Sequence, residues 1–301
     1  MDVSQPPSAS AETKPASETT YVVEPAAQHT HTFILLHGLG SNGTKFGEEF
    51  LRTGKTSAGK TLPEAFPGAR FVFPTAKRRR SAAFGRRKLT QWFNIAYLAD
   101  PNYLKEMQLP GLEESAAEIR ELLLRERELV PSTNIILGGI SQGCAMSLTV
   151  LLTLEYPLAG CLGMCGYLPF QEDIEEAVAG HEDSDDDDNP FAPSADSDKP
   201  PDSPRTKAFL FERDLLCIDA PPDATVARPA VVTPIFLGHG DCDEKKPHAL
   251  GEAAARTMRA AGYTVDWNLY AGLGHWYKIP EEIDDIVRFI GEKVGWGMAE
   301  Q

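Results

Sequence analysis

The sequence lacks any apolar run of about 18 residues or more, so no segment reads as a membrane-crossing helix. Its first stretch, MDVSQPPSASAETKPASETT, has neither the basic nor the apolar region of a secretory leader, and Asp2 and the terminal GMAEQ carry no myristoylation or prenylation signal. A cytoplasmic protein is expected, with nuclear access left open and no stable membrane insertion. Cysteine is sparse: five residues, an odd number at irregular spacing, make no disulfide framework. Cys161-x-x-x-Cys165 has no matching second pair, so no zinc site is expected, and Cys144, Cys161 and Cys165 read as core fillers among apolar neighbours. No internal repeat is visible.

The chain has 301 residues, 42% hydrophobic, enough for a sizeable core. Its net charge of −15 is uneven. Residues 181–202 hold nine acids and one Lys, a net of −8, which leaves −7 for the remainder. This run reads as a solvated, disordered insertion; it lacks the Gly turn and terminal Glu of an EF-hand loop. The opposite sign gathers at 77–88, KRRRSAAFGRRK, seven basic residues in twelve. The aromatic and apolar pattern that follows favours a folded loop over a nucleic-acid patch, so no nucleic-acid partner is expected.

Residues 1–28, rich in Ser, Pro, Ala, Thr and Glu, read as a flexible tail. Six short apolar runs follow, at 32–37, 69–74, 134–139, 160–166, 233–240 and 264–270. Most are continuous rather than alternating, as in strands buried on both faces. Helical patterns lie between them at 112–130, 141–156, 247–262 and 280–295; the last two open with Pro and end at Gly. Strands alternating with helices predict an α/β fold with a mostly parallel central sheet flanked by helices.

The strongest local signal is NIILGGISQGCAMSL, where Gly139-Ile140-Ser141-Gln142-Gly143 sits between an apolar run and a helical pattern. Such a strand-to-helix turn tolerates only small neighbours and lifts Ser141 to the helix N-terminus, the arrangement of a nucleophile elbow. A serine hydroxyl is a weak nucleophile and needs a base oriented by a third group. Downstream, GHGDCDEKKP offers Asp241 and Asp243, and YAGLGHWY offers His275, each just beyond a predicted strand. Pattern alone leaves the two acids open. His239 beside them suggests a metal site, but no third clear ligand is at hand, so no metal and no organic cofactor is expected.

Two nucleotide-binding patterns compete. Gly54–Thr61 spells G-x-x-x-x-G-K-[ST], but an amphipathic polar segment precedes it and prolines 63 and 67 follow, so it reads as a surface loop. Gly38, Gly40 and Gly43 spell G-x-G-x-x-G directly after a strand. The acid needed about 20 residues on would be Glu64, which lies between prolines instead of at a strand end.

Together, LLHGLGSNG, ILGGISQG, LGHGDCD and GLGH resemble the acyl-protein thioesterase and phospholipase–carboxylesterase family of α/β-hydrolases, over about residues 30–295 without the acidic insertion. The resemblance implies a Ser141–His275–Asp243 triad, with Asp243 as the second acid of H-G-D-x-D and Asp241 supporting. It implies oxyanion donors at the Leu39 and Gln142 backbone N–H groups, each worth about 3–4 kcal/mol in comparable sites. His37, Gly38, Gly139 and Gly143 are expected to support these groups, and Trp92 and Phe93 to form a substrate loop. The chain departs from the family at Gln91-Trp92-Phe93-Asn94, at Gly40-Ser41-Asn42-Gly43 and at Cys144. The basic stretch 77–88 falls where the family carries a loop beside the acyl groove, and is expected to approach anionic headgroups or acidic partners. The implied organisation is a tail at 1–28, a hydrolase domain at 29–296 with an insertion at 180–206, and a tail at 297–301. The implied reaction is hydrolysis of carboxylic esters or thioesters, on acylated proteins, lysophospholipids or simple esters. A catalytically idle binding module on the same fold is the alternative.

Overall fold

A computed structural model describes residues 20–180, 203–219 and 230–297. The described residues form a seven-stranded sheet in the order β1-β3-β2-β6-β7-β8-β9, comprising Tyr21–Val23, Ala69–Phe73, His31–Leu36, Ile135–Ile140, Gly160–Met164, Ile235–Gly240 and Val265–Tyr270. Every pairing is parallel except that of β1 with β3. All six runs expected as strands are strands. Their continuous hydrophobicity has a direct cause. On β2, Ile34 and Leu36 enter one core while Phe33 and Leu35 enter the other. The first core receives α3 (Leu109–Arg127), α4 (Gln142–Leu152), α5 (Gln171–Ala179), α6 (Pro204–Leu215) and α7 (His248–Ala260). The second receives α1 (Gly43–Thr53), α2 (Leu62–Ala65) and α8 (Glu281–Phe289), which continues as a π-helical turn over Ile290–Val294.

Several boundaries differ from expectation. The tail ends earlier than residue 28, because Tyr21–Val23 pairs antiparallel with β3 and covers that edge of the sheet. The insertion ends before residue 206, because Ser203 caps α6 through the Thr206 N–H and Pro204 opens that helix. The rest of the expected tails and insertion, at 1–19, 181–202 and 298–301, lies outside the described residues. The basic stretch is a β-hairpin, β4 (Arg78–Ser81) and β5 (Arg87–Thr90), whose tip is a short helical turn with Gly85 at φ 60°. Helix α1 has a buried face of Phe46 and Phe50; Gly43 and Gly47, which approach Phe73, obscured it in the sequence. Cys144, Cys161 and Cys165 are buried.

Both nucleotide patterns resolve locally. Residues 54–61 turn between α1 and α2, closed by a Lys55–Thr61 bridge, with no strand leading in. The 38–43 loop does connect a strand to a helix, but the Glu64 carboxylate accepts the Thr61 N–H and hydroxyl at the start of α2, at 2.7 and 2.8 Å.

Candidate active site

Ser141 stands between β6 and α4 with φ 57° and ψ −119°, a conformation that L residues rarely adopt. Its N–H donates to the Met164 carbonyl of β7 at 2.8 Å, which helps hold the turn. The flanking glycines are obligatory on steric grounds. A Cβ at Gly139 would lie 2.5 Å from the Leu36 carbonyl oxygen, and one at Gly143 only 2.1 Å from it.

The Ser141 hydroxyl is 2.8 Å from His275 Nε2, and His275 Nδ1 is 2.6 Å from Asp243 Oδ2. The natural assignment has the hydroxyl donating to Nε2 while Nδ1–H donates to the carboxylate. The Asp243 side chain is fully buried yet rich in donors. Its Oδ1 accepts the Lys245 and Lys246 N–H groups, each at 2.9 Å. Its Oδ2 also has His239 Nε2 at 3.2 Å. Burial alone would raise this carboxyl, but hydrogen bonds from His239, then His275 and the Lys246 N–H, hold it well below the usual carboxylate range. His239 Nε2 also faces the Lys246 carbonyl at 2.9 Å, while its buried Nδ1 has no partner, so the ring proton belongs on Nε2. His239, weighed in the sequence as a metal ligand, is thus a support for Asp243. Cys165 Sγ comes within ligand reach of Asp243 and His275, but the thiol donates to the Trp276 carbonyl and burial raises its pKa strongly, which disfavours a thiolate ligand.

The loop carrying His275 is tied at three points. Asp241 Oδ1 accepts the Gly272 N–H at 2.7 Å, Cys165 Sγ holds Trp276, and Glu282 accepts the Lys278 N–H at 2.8 Å. Asp241 is therefore exposed and remote from His275's ring nitrogens in its bonding, while Asp243 meets them.

The Leu39 and Gln142 N–H groups have no hydrogen-bond acceptor among the described residues, and Leu39 lines the same cleft as Ser141 and His275. The peptide before Leu39 is clamped. His37 Nδ1 lies 2.7 Å from the Gly38 carbonyl, and His37 Nε2 accepts the Ala76 N–H at 3.0 Å. Burial lowers the pKa of His37 to about 4, so the ring is neutral at pH 7. The unfolded chain, with a histidine pKa near 6.5, binds the proton first as pH falls. Stability contributed by neutral His37 is therefore complete above about pH 6.5 and lost on descent to about pH 4, on the order of 3 kcal/mol. Urea unfolding across that range should show this slope, and His37→Asn should flatten it; an unchanged slope in the variant refutes the assignment.

Trp92 and Phe93 correct an expectation. They do not line the cleft but lie fully buried behind it. Trp92 Nε1 donates to the His37 carbonyl at 2.8 Å, and the Gln142 amide bonds the Trp92 N–H and the Phe93 carbonyl at 3.0 and 2.7 Å. The pair ties His37 to the Gln142 side chain instead of lining the cleft. The cleft itself has a volume of about 530 Å³, with apolar walls of Leu39, Phe46, Phe84, Leu98, Ile140 and Trp276. Phe84 comes from the hairpin tip, so the basic hairpin does border the cleft. Within it, Lys77 pairs with Glu114 and Glu118, and Arg79 with Glu114.

Comparison with known proteins agrees with this architecture. The sequence profile of the phospholipase/carboxylesterase family matches residues 17–183. Acyl-protein thioesterase 1 of Yarrowia lipolytica is 28% identical over 272 residues, covering 89% of this chain and 94% of that protein. Acyl-protein thioesterase 1 of Gibberella zeae is 26% identical over 276 residues, covering 89% and 93%. Among solved structures, Zea mays acyl-protein thioesterase 2 superposes with a TM-score of 0.64 at 24% identity, covering 92% of this chain and 99% of that one, a likeness of fold. With a family match across more than half of its length, on a parallel sheet carrying a serine elbow, the chain belongs to the phospholipase/carboxylesterase family of α/β-hydrolases.

Proposed function

We propose that the chain is a serine hydrolase of carboxylic esters and thioesters, with acylated proteins as its leading substrate class. The observation that carries this reading is His275 bridging the Ser141 hydroxyl and the Asp243 carboxylate at 2.8 and 2.6 Å. Ser141 Oγ attacks the acyl carbonyl as His275 Nε2 takes its proton, and Asp243 stabilises the resulting imidazolium. The Leu39 and Gln142 N–H groups receive the negative charge that develops on the carbonyl oxygen. His275 then protonates the departing sulfur or oxygen, and a water that it deprotonates releases the acid. The apolar cleft walls suit an acyl chain. Relatives named acyl-protein thioesterase favour a thioester on a protein over a lysophospholipid or a simple ester.

A fluorophosphonate probe tests the chemistry. Labelling of the wild type that is lost in Ser141→Ala supports it; an unlabelled wild type favours the idle binding module. A palmitoylated peptide, a lysophospholipid and p-nitrophenyl esters assayed side by side rank the substrates. A kcat/KM for the peptide below those of the other two would displace protein thioesters from first place.

A further inference from the structure

We infer that the catalytic cleft contains an anion subsite, formed by Lys246 and Lys245 with Lys45 across the opening, which selects esters or thioesters bearing a carboxylate or phosphate. The inference rests on the hydrolase reading and narrows its substrate class.

Lys246 is the unusual member. Its backbone N–H is committed to Asp243, and its side chain, from a residue only 3% exposed, lines the cleft. The ammonium donates to the Leu98 carbonyl and lies 4.3 Å over the Tyr167 ring centroid. An ammonium has three donors, and one carbonyl and one π face do not neutralise it. Among the described residues no carboxylate forms an ion pair with it; Asp243 and Asp100 act only as more distant charges. Burial accordingly lowers its pKa to about 8. A buried cation without a counter-ion is costly, and an anion delivered by a ligand would supply the missing charge.

The surroundings have the same sign. Lys245 and Lys45 also line the cleft, and neither has an ion pair among the described residues. Glu49, one turn beyond Lys45 on α1, is the opposing charge, so three ammonium groups face one carboxylate on the cleft wall. Arg80, Arg86, Arg87 and Lys88 of the hairpin around Phe84 are likewise without ion pairs among the described residues. This concentration of positive charge occurs in a chain of net charge −15. Local positive potential at an apolar cleft raises the concentration and affinity of anionic ligands over neutral ones.

The test compares matched soluble substrates below their aggregation limits in wild type, Lys245→Gln and Lys246→Met. Mono-p-nitrophenyl suberate against p-nitrophenyl octanoate places a carboxylate on the acyl side. A 1-acylglycerol 3-phosphate against the corresponding monoacylglycerol places a phosphate on the leaving side. The anionic-to-neutral ratio of kcat/KM should fall at least about tenfold in Lys246→Met in one arm, and that arm locates the subsite. High salt should lower the wild-type ratio in the same arm. A ratio that stays within about twofold of wild type in both arms overturns the inference while leaving the hydrolase reading intact. If Lys246→Met does not fold, the exposed Lys245→Gln carries the same comparison, with an expected fall of about threefold or more. Thermal unfolding with suberate separates the two readings further. Stabilisation by suberate that the lysine variants lose supports the subsite even if neither ester turns over. No stabilisation and no turnover sinks both.

Discussion

Asp243→Asn should lower kcat for ester hydrolysis by about 10⁴-fold. The reason lies in the four donors around the carboxylate. The Lys245 and Lys246 N–H groups require an acceptor at Oδ1, and the two histidine nitrogens face Oδ2. An asparagine that keeps its oxygen toward the backbone N–H groups turns its NH₂ toward His275 Nδ1. The imidazole must then carry its proton on Nε2, where it can no longer accept the Ser141 proton. The NH₂ also meets the proton on His239 Nε2, so a stability loss of about 1–3 kcal/mol should accompany the catalytic defect. Steady-state kinetics with a p-nitrophenyl ester and urea unfolding measure the two effects. A kcat within about tenfold of wild type would mean that Asp243 does not set the tautomer of His275.

The second large effect is steric. Gly143→Ala would place a Cβ 2.1 Å from the Leu36 carbonyl oxygen, 2.6 Å from its carbon and 2.8 Å from the His37 carbonyl oxygen. All three are backbone atoms, so no side chain can rotate away. Either the N-terminus of α4 retreats from β2 or the end of β2 moves. Ser141 and Gln142 ride on the first, Gly38 and Leu39 on the second, so either relief separates Ser141 and the Gln142 N–H from the Leu39 N–H, the other proposed oxyanion donor. A displacement near 1 Å should cost about 10²-fold in kcat/KM, with about 1–3 kcal/mol of stability lost. Gly291→Ala, where a Cβ meets nothing within 4 Å, is the control and should stay within about 0.5 kcal/mol. Equal behaviour of the two variants would remove the close approach of α4 to β2 from the account of this site.

Features generated locally were legible in the sequence. Six strands could be read because burial on both sheet faces leaves a continuous apolar run, as in FILL of β2. The Ser141 turn could be read because its two glycines stand at fixed offsets on either side of the serine, although the Leu36 carbonyl that requires them belongs to β2. Where local signals were mixed, the reading failed. Tyr21–Val23 is a three-residue edge strand beside a Ser- and Pro-rich segment, and α1 carries two glycines that serve its contact with β3. Trp92 and Phe93 illustrate a different limit. An aromatic pair has the same sequence signature whether it lines a cleft or supports the peptides behind it.

The sequence by itself determined the alternation of strands and helices, the glycine-flanked turn at Ser141 and the chain order of Ser141, Asp243 and His275. These follow from periodicity and from residue spacing within single segments. Local pattern left Asp241 and Asp243 open and the family resemblance pointed to Asp243; the tertiary structure has Asp243 meeting His275 while Asp241 holds Gly272, and it alone decided that His239 braces the acid and that Lys246 lies buried beside the cleft. Those outcomes depend on hydrogen bonds and burial between segments far apart in the chain, such as β6 and the loop after β9. Sheet topology sets such distances, and no single segment encodes them.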